Sequence, residues 1–312
     1  MKPTRILLTA AALCALAWPS AAFAQAPPTA PLVLTTPSSA RVTALGGAWV
    51  AGRDQDVIFH NPAQLIGTRT DFSVSMARFG EHANMASLTS AYTGGKLSFT
   101  LGWGVEMLNF RDVDSAQPPF ASDILRSDDP LLHPRPSLDA QSLVATVGGA
   151  ILYKNFRIGA AGKYASDRTI LNEHAWLVDV GVARNLWGGT LAVAGQNLGI
   201  SSLRDLGFAK LPRQVAAGFS KAQSAGPLDL GVFTQVSHRT GWNSAAAGLE
   251  AGYSWIEGMS VTGRVGVRRP ETKSEKPISL GGALTADRLT LEYALQMFDN
   301  NKYSHVVTIR WR

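Results

Sequence analysis

A two-residue hydrophobic period runs through residues 70–312 and restricts this chain to sheet. The clearest instance is 259–268. Met259, Val261, Val265 and Val267 fall on one face, with Gly263 among them, and Ser260, Thr262, Arg264, Gly266 and Arg268 fall on the other. Leu289, Leu291, Tyr293, Leu295 and Met297 repeat the pattern against Thr290, Glu292, Ala294 and Gln296. Successive side chains of a strand point to opposite faces, so each segment offers one apolar and one polar surface. A soluble sandwich would turn the apolar faces inward onto one another. A membrane barrel would turn them out to lipid and line its lumen with the polar faces.

Loop lengths separate these two architectures. About fourteen segments alternate, near 70–79, 83–93, 96–110, 139–153, 155–167, 173–184, 189–198, 213–221, 227–238, 243–254, 258–269, 276–285, 287–298 and 302–312. A membrane-spanning strand needs about 9–11 residues. The even-numbered connections are short turns, at 93–95, 154–155, 185–188, 222–226, 255–258 and 286, whereas the odd-numbered ones include all the long connections, 111–138, 168–172, 199–212 and 270–275. Long loops on one rim and short turns on the other characterise outer-membrane barrels. A sandwich has no reason to sort its loops by parity. The expected fold is therefore all-β, an antiparallel transmembrane β-barrel of about fourteen strands.

The N-terminus fits an exported protein. Lys2 and Arg5 precede the apolar stretch 6–18, and Ala22-Phe23-Ala24 is a small-x-small cleavage site, so 1–24 reads as a signal peptide and the bacterial outer membrane as the destination. Cys14 lies inside that leader and is the chain's single cysteine, so a mature chain beginning at Gln25 has no disulfide, thiol chemistry or cysteine-held metal. Removing Lys2 and Arg5 reduces 29 basic residues to 27 against 23 acidic, a net charge of +4 without any Lys/Arg-rich run, so no nucleic-acid partner is expected. No catalytic motif, phosphate loop or dinucleotide fingerprint is present, and His60, His82, His133, His174, His238 and His305 are singletons without metal-ligand spacing. The expectation is a non-enzymatic chain with no cofactor, whose first partner is outer-membrane lipid.

The charges bear on the same question. Glu106, Lys163, Asp179, Glu250, Arg264, Glu292 and Arg310 all fall on polar faces. Counting back from the turns sets Glu250 near Arg264 and Glu292 near Arg310, and puts Lys163 and Asp179 on adjacent strands. Opposite charges across neighbouring strands attract, and the reading favoured here is structural pairing inside the lumen rather than ion selectivity. Trp103, Trp176, Trp187, Trp255 and Trp311 are expected as girdle residues where they lie near strand ends.

Residues 32–68 do not alternate, and 25–69 is expected to form an N-terminal extension and plug ahead of the barrel at 70–312. Asn61 before Pro62 is a helix start, with Asn capping and Pro in the first turn. Leu45-Gly46-Gly47-Ala48-Trp49-Val50-Ala51, then an acidic stretch at 54–56, then Asn61-Pro62-Ala63-Gln64-Leu65 resemble the opening of the PorV/PorQ family of outer-membrane proteins, itself similar to FadL-type barrels. Gly159 to Tyr164, Asp179-Val180-Gly181, Gln196 to Gly199 with Leu211-Pro212, Gly248 to Tyr253, Glu292-Tyr293-Ala294 and His305 follow in the family's order. The resemblance implies a FadL-like fourteen-stranded barrel with a plug, whose marks are Gly46, Gly47, Asn61, Pro62 and Ala63. It further implies a role accessory to type IX-like protein secretion or surface attachment, with secreted cargo or a translocon as partners. The alternative is a FadL-type passive channel for hydrophobic small molecules.

The long connection 111–138 is the candidate partner surface. Five prolines exclude regular structure there, and Phe120, Ile124, Leu125, Leu131 and Leu132 give it apolar content among aspartates.

Overall fold

A computed structural model describes residues 31–66, 68, 71–80, 83–94, 99–113, 138–168, 172–201, 210–272, 274–299 and 302–311. The expected signal peptide, His82, His133 and the loop residues Phe120, Ile124, Leu125, Leu131 and Leu132 lie outside them. Fourteen strands follow in order: β1 (Asp71–Phe79), β2 (Ala83–Thr93), β3 (Phe99–Val113), β4 (Leu138–Tyr153), β5 (Phe156–Arg168), β6 (Asn172–Leu186) and β7 (Gly189–Ser201), then β8 (Gln214–Ala225), β9 (Leu228–Arg239), β10 (Trp242–Ile256), β11 (Met259–Arg268), β12 (Glu275–Ala286), β13 (Leu289–Phe298) and β14 (Tyr303–Trp311). Each pairs antiparallel with its neighbour, and β1 pairs with β14 from Phe72↔Trp311 to Phe79↔Ser304, so the sheet closes and has no edge. Closure satisfies every strand's backbone without water, which the hydrocarbon core demands.

The strand boundaries differ from those read in the sequence by a few residues. Loop parity also holds, with the connection expected at 168–172 shortened to 169–171 because β5 and β6 each extend by a residue. Apart from the connection between β2 and β3, the short-turn rim is built from two-residue hairpins whose left-handed positions fall on Lys154, Trp187, Gly188, Gly226, Gly258 and Asp287.

The faces settle the choice between sandwich and barrel. Val147, Val178, Val261, Leu284 and Leu291 point outward and are all more than 40% exposed, while their polar neighbours along the strands point into a filled interior. This continuous exposed apolar belt is the lipid-facing surface of a membrane barrel. Trp103, Trp176, Trp187, Trp255 and Trp311 all lie on this outward surface.

The interior is filled by residues 31–66. A 3₁₀ turn (Leu32–Thr35) leads into α1 (Ala40–Ala44), followed by 3₁₀ turns at Gln55–Phe59 and Pro62–Leu65. Ser39 caps α1, its hydroxyl accepting from the Val42 N–H, and the Asn61 carboxamide accepts from the Ala63 N–H (3.1 Å), the capping read from Asn61-Pro62. The wall makes room by dropping side chains. A Cβ on Gly159 would strike the backbone of Pro62 and Ala63, and one on Gly266 the backbone of Ala44, Leu45 and Gly46. Gly102, Gly181, Gly248 and Gly281 likewise face Leu65, Asn61, Leu45 and Ala44. These wall glycines are sockets for the plug, a use of glycine set by close approach.

Candidate functional site

The plug and wall meet in a closed ring of charges. Arg41 of α1 bonds Asp54 (2.6 Å) and Glu250 of β10 (2.7 Å). Glu250 also accepts from Arg264 of β11 (2.6 Å), and Arg264 bonds Glu292 of β13 (3.0 Å). Glu292 bonds Arg310 of β14 (3.1 Å), and Arg310 returns to Asp54 and reaches Asp56 (3.5 Å). Among the described residues three arginines thus face four carboxylates, with Arg310 and Glu292 almost fully buried. Burial disfavours the charge on Arg41, but Asp54, Glu250 and Glu292 outweigh it and hold the guanidinium above its ordinary value. Burial acts most strongly on Asp56 and raises its carboxyl, more than Arg310 lowers it. Asp56 accepts from Ser39 and from the Trp49 indole (2.8 Å), and Arg41 lies 5.0 Å over the Trp49 ring, so the ring of charges is packed against the plug's largest side chain.

A second buried pair sits across the lumen. Lys163 of β5 bonds Asp179 of β6 (2.7 Å) and donates to the Phe59 carbonyl (3.1 Å) and Asn197 (3.2 Å). A β-bulge between β6 and β7 leaves Asn197 at φ 56, and its N–H donates to Asp179 (2.7 Å). His60, beside Lys163, shares a hydrogen bond with the Ser38 hydroxyl (3.0 Å). Burial, and then Lys163, push its imidazole down to about 3, so it is neutral.

All three charge pairs read from the sequence are therefore in contact. Glu250 and Arg264 are directly opposite in register, whereas Glu292 pairs in register with Thr308, and Asp179 with Ala161, so the other two ion pairs are diagonal. The plug marks Asn61, Pro62 and Ala63 are buried against β5 and β6, while Gly46 and Gly47 turn the chain after α1 in the left-handed region, at φ 67 and φ 79. Sequence reasoning missed the plug's half of the ring, Arg41, Asp54 and Asp56. The wall residues Glu250, Arg264, Glu292 and Arg310 already balance one another, so no charge excess pointed to further partners.

On the long-loop side the lumen is divided. Mostly across β1 to β6, with Ala294 of β13 and Val306 of β14, the side chains of Ala77, Met85, Leu108, Val144, Ala165 and Leu177 form an apolar compartment with Phe79 and Phe110 at its margin; Val33 is buried in it, Leu34 packs against it partly buried, and Ala40 and Ala44 of α1 also reach it. Beside it, mostly along β7 to β11 but reaching Glu106 of β3 and Lys163 of β5, a cavity of about 90 Å³ is lined by polar groups, among them Gln196, Gln214, Gln235, Ser237 and Arg239.

No protein-family model and no curated protein sequence matches the chain. Solved structures do resemble it. Two crystal structures of the Pseudomonas putida toluene transporter TodX align at 8% and 9% identity with TM-scores of 0.54 and 0.55, covering 86% and 89% of this chain and 95% and 98% of theirs. A Pseudomonas aeruginosa FadL homologue aligns at 10% identity and a TM-score of 0.50, over 92% of this chain and 98% of its own. At such identities the likeness is one of fold: the chain has the fold of FadL-like barrels of the bacterial outer membrane.

Proposed function

We propose that this barrel is a passive, non-enzymatic channel for small apolar molecules, gated by its N-terminal segment. One observation carries the reading: an apolar compartment in the extracellular half of the lumen, in which Val33 is buried and against which Leu34 packs. A water-filled porin lumen would be polar throughout. The segment that fills this one is held lightly. Its polar bonds are internal, from the Thr35 and Thr36 hydroxyls to the Leu32 carbonyl (2.9 and 3.0 Å), and among the described residues none joins 31–37 to the wall. An apolar solute can replace what Val33 and Leu34 contribute. The named activity of TodX, toluene transport, accords with this reading.

The test is uptake of the apolar dye 1-N-phenylnaphthylamine by intact cells producing the barrel. Faster uptake than in cells without it, and faster again when residues 31–36 are deleted, is expected. Equal uptake in all three would refute the channel.

A secretion-accessory role of the PorV/PorQ type is the second reading, and it rests on residues 45–51 and 61–65. All of these except Gly47 are buried in plug and wall, so the resemblance lies in plug seating rather than in a surface that cargo could touch. Recovery of a translocon or surface cargo with the crosslinked barrel would favour that role over the channel.

A further inference from the structure

The polar cavity beside the apolar compartment has a chemical bias of its own. Among the described residues three cations line it, and each already holds a carboxylate: Lys163 with Asp179, Arg239 with Glu271 and Arg268 with Glu275. His60 on the same wall is neutral. Apart from the Glu106 carboxyl on β3, which also lines the cavity and offers nothing to an anion, the remaining unsatisfied groups among the described residues are uncharged. Trp242 is 4% exposed, and its indole N–H has no hydrogen-bond partner among the described residues. Gln214, Ser237 and Ser244 also offer side chains that bond no other described residue. A buried indole N–H wants an acceptor, and leaving it without one costs about as much as losing a hydrogen bond. The stretch Val33 to Pro37 lines this cavity while Val33 and Leu34 pack into the apolar cluster, so one short segment separates the two compartments.

We propose that this cavity seats the neutral, oxygen-bearing head of an amphipathic substrate whose apolar body takes the place of Val33 and Leu34. This rests on the channel reading and names its substrate class: alcohols, esters or amides in preference to carboxylates. A hydroxyl or carbonyl oxygen accepts from Trp242 and meets Gln214 and the serines without bringing charge. A carboxylate would need a cation, and taking one would strip Asp179, Glu271 or Glu275 of its partner.

The full mature barrel in lipid nanodiscs, with empty discs subtracted, is titrated with toluene, benzyl alcohol and benzoate, three probes that share a ring and differ in the head. Benzyl alcohol should bind several-fold more tightly than toluene, and benzoate at least tenfold more weakly than the alcohol. Trp242→Phe keeps the ring that Arg269 covers at 4.1 Å, and should erase about fivefold of the alcohol's advantage, one neutral hydrogen bond, with toluene unchanged. Gln214→Leu should act in the same direction, and both variants are scored only as heat-shifted folded barrels on gels. Benzoate binding as tightly as the alcohol, or an alcohol advantage indifferent to both variants, overturns the inference while toluene binding keeps the channel. Failure of toluene itself to bind overturns both.

Discussion

Replacing Arg310 with Met should unseat the plug and leave the barrel standing. Arg310 is 2% exposed and contacts Asp54, Asp56 and Glu292. Without it the ring holds two arginines against four carboxylates, three of which have lost a partner in a site closed to solvent. Removing one side of a buried ion pair costs about 3–5 kcal/mol, because the abandoned charge remains buried. Little of that cost falls on the sheet: the backbone of residue 310 still pairs with Ser73 and Thr290. It falls on the equilibrium between plug in and plug out, which should shift by roughly a hundredfold to a few thousandfold at 1.4 kcal/mol per decade. Trypsin reads this directly, since Arg41 and Arg53 lie in the plug and Arg41 is cut only after release from Asp54 and Glu250. Rapid cleavage after Arg41, with the folded barrel's gel mobility retained, is the expected result. Adding Asp54→Asn and Glu292→Gln should restore much of the protection, because removing both sides of a buried network is far less costly than removing one. A variant that stays as resistant as the parent, or that loses the barrel before the plug is cut, would refute the assignment of the ring to plug seating.

Gly266→Val should also expose Arg41 to trypsin, at about 1–3 kcal/mol or more, because its Cβ would meet plug backbone that cannot turn aside. Acid should loosen the plug through His60. Its folded value of about 3 lies below the ordinary 6.5, so the seated state refuses a proton that the released state takes up; His60's contribution is complete above pH 6.5 and is lost as pH falls toward 3. At pH 5 the loss is about 2 kcal/mol, and His60→Gln should flatten the pH dependence of tryptic cleavage between pH 8 and pH 5. Val147→Arg, on an outward face 66% exposed, should lower the urea stability of the barrel in lipid vesicles by about 2–4 kcal/mol if that face meets mid-bilayer. A change within about 0.5 kcal/mol, as at an ordinary wet surface, would deny the lipid contact.

The barrel was legible because its cause is local. Alternation at 259–268 and 289–297 is imposed residue by residue by lipid on one side and a polar lumen on the other, and turn chemistry at Lys154-Asn155 or Glu257-Gly258 marks where it resets. The wall's charge pairs were legible for the same reason, since register fixed by a tight turn places Glu250 opposite Arg264. The plug's use of those charges was not. Arg41 meets Glu250 across most of the chain, with no periodicity to link them, and Asp54 and Asp56 look like an ordinary polar loop. The division of the lumen was hidden in another way. Met85, Leu108, Val144 and Leu177 occupy the face that alternation assigns to polar residues, each on a different strand, and only closure of the sheet brings them together.

The two parts of the plug are held by interactions of different kinds, and that difference decides what would open the proposed channel. From Ser38 onward the segment is tied by polar bonds to the wall and to itself: the Ser38 carbonyl accepts from Ser87 (2.6 Å), the Ala40 N–H donates to Thr308 (2.9 Å), and the charge ring follows. An apolar solute offers nothing that could replace such bonds, and breaking them leaves buried charge behind. Before Ser38 the attachment is the burial of Val33 and Leu34. Val33 is fully buried, at about 1.5–3 kcal/mol for such a side chain, Leu34 contributes less because it is only partly buried, and a solute of similar apolar area returns both. Exchange of solute for segment is then close to neutral in free energy and needs no strand to move. On the channel reading, the boundary between a displaceable stopper and a fixed plug therefore falls at Ser38. Deletion up to residue 36 should open the apolar compartment, whereas deletion through Ser39 and into α1 should also release the ring that holds the rest of the plug in place.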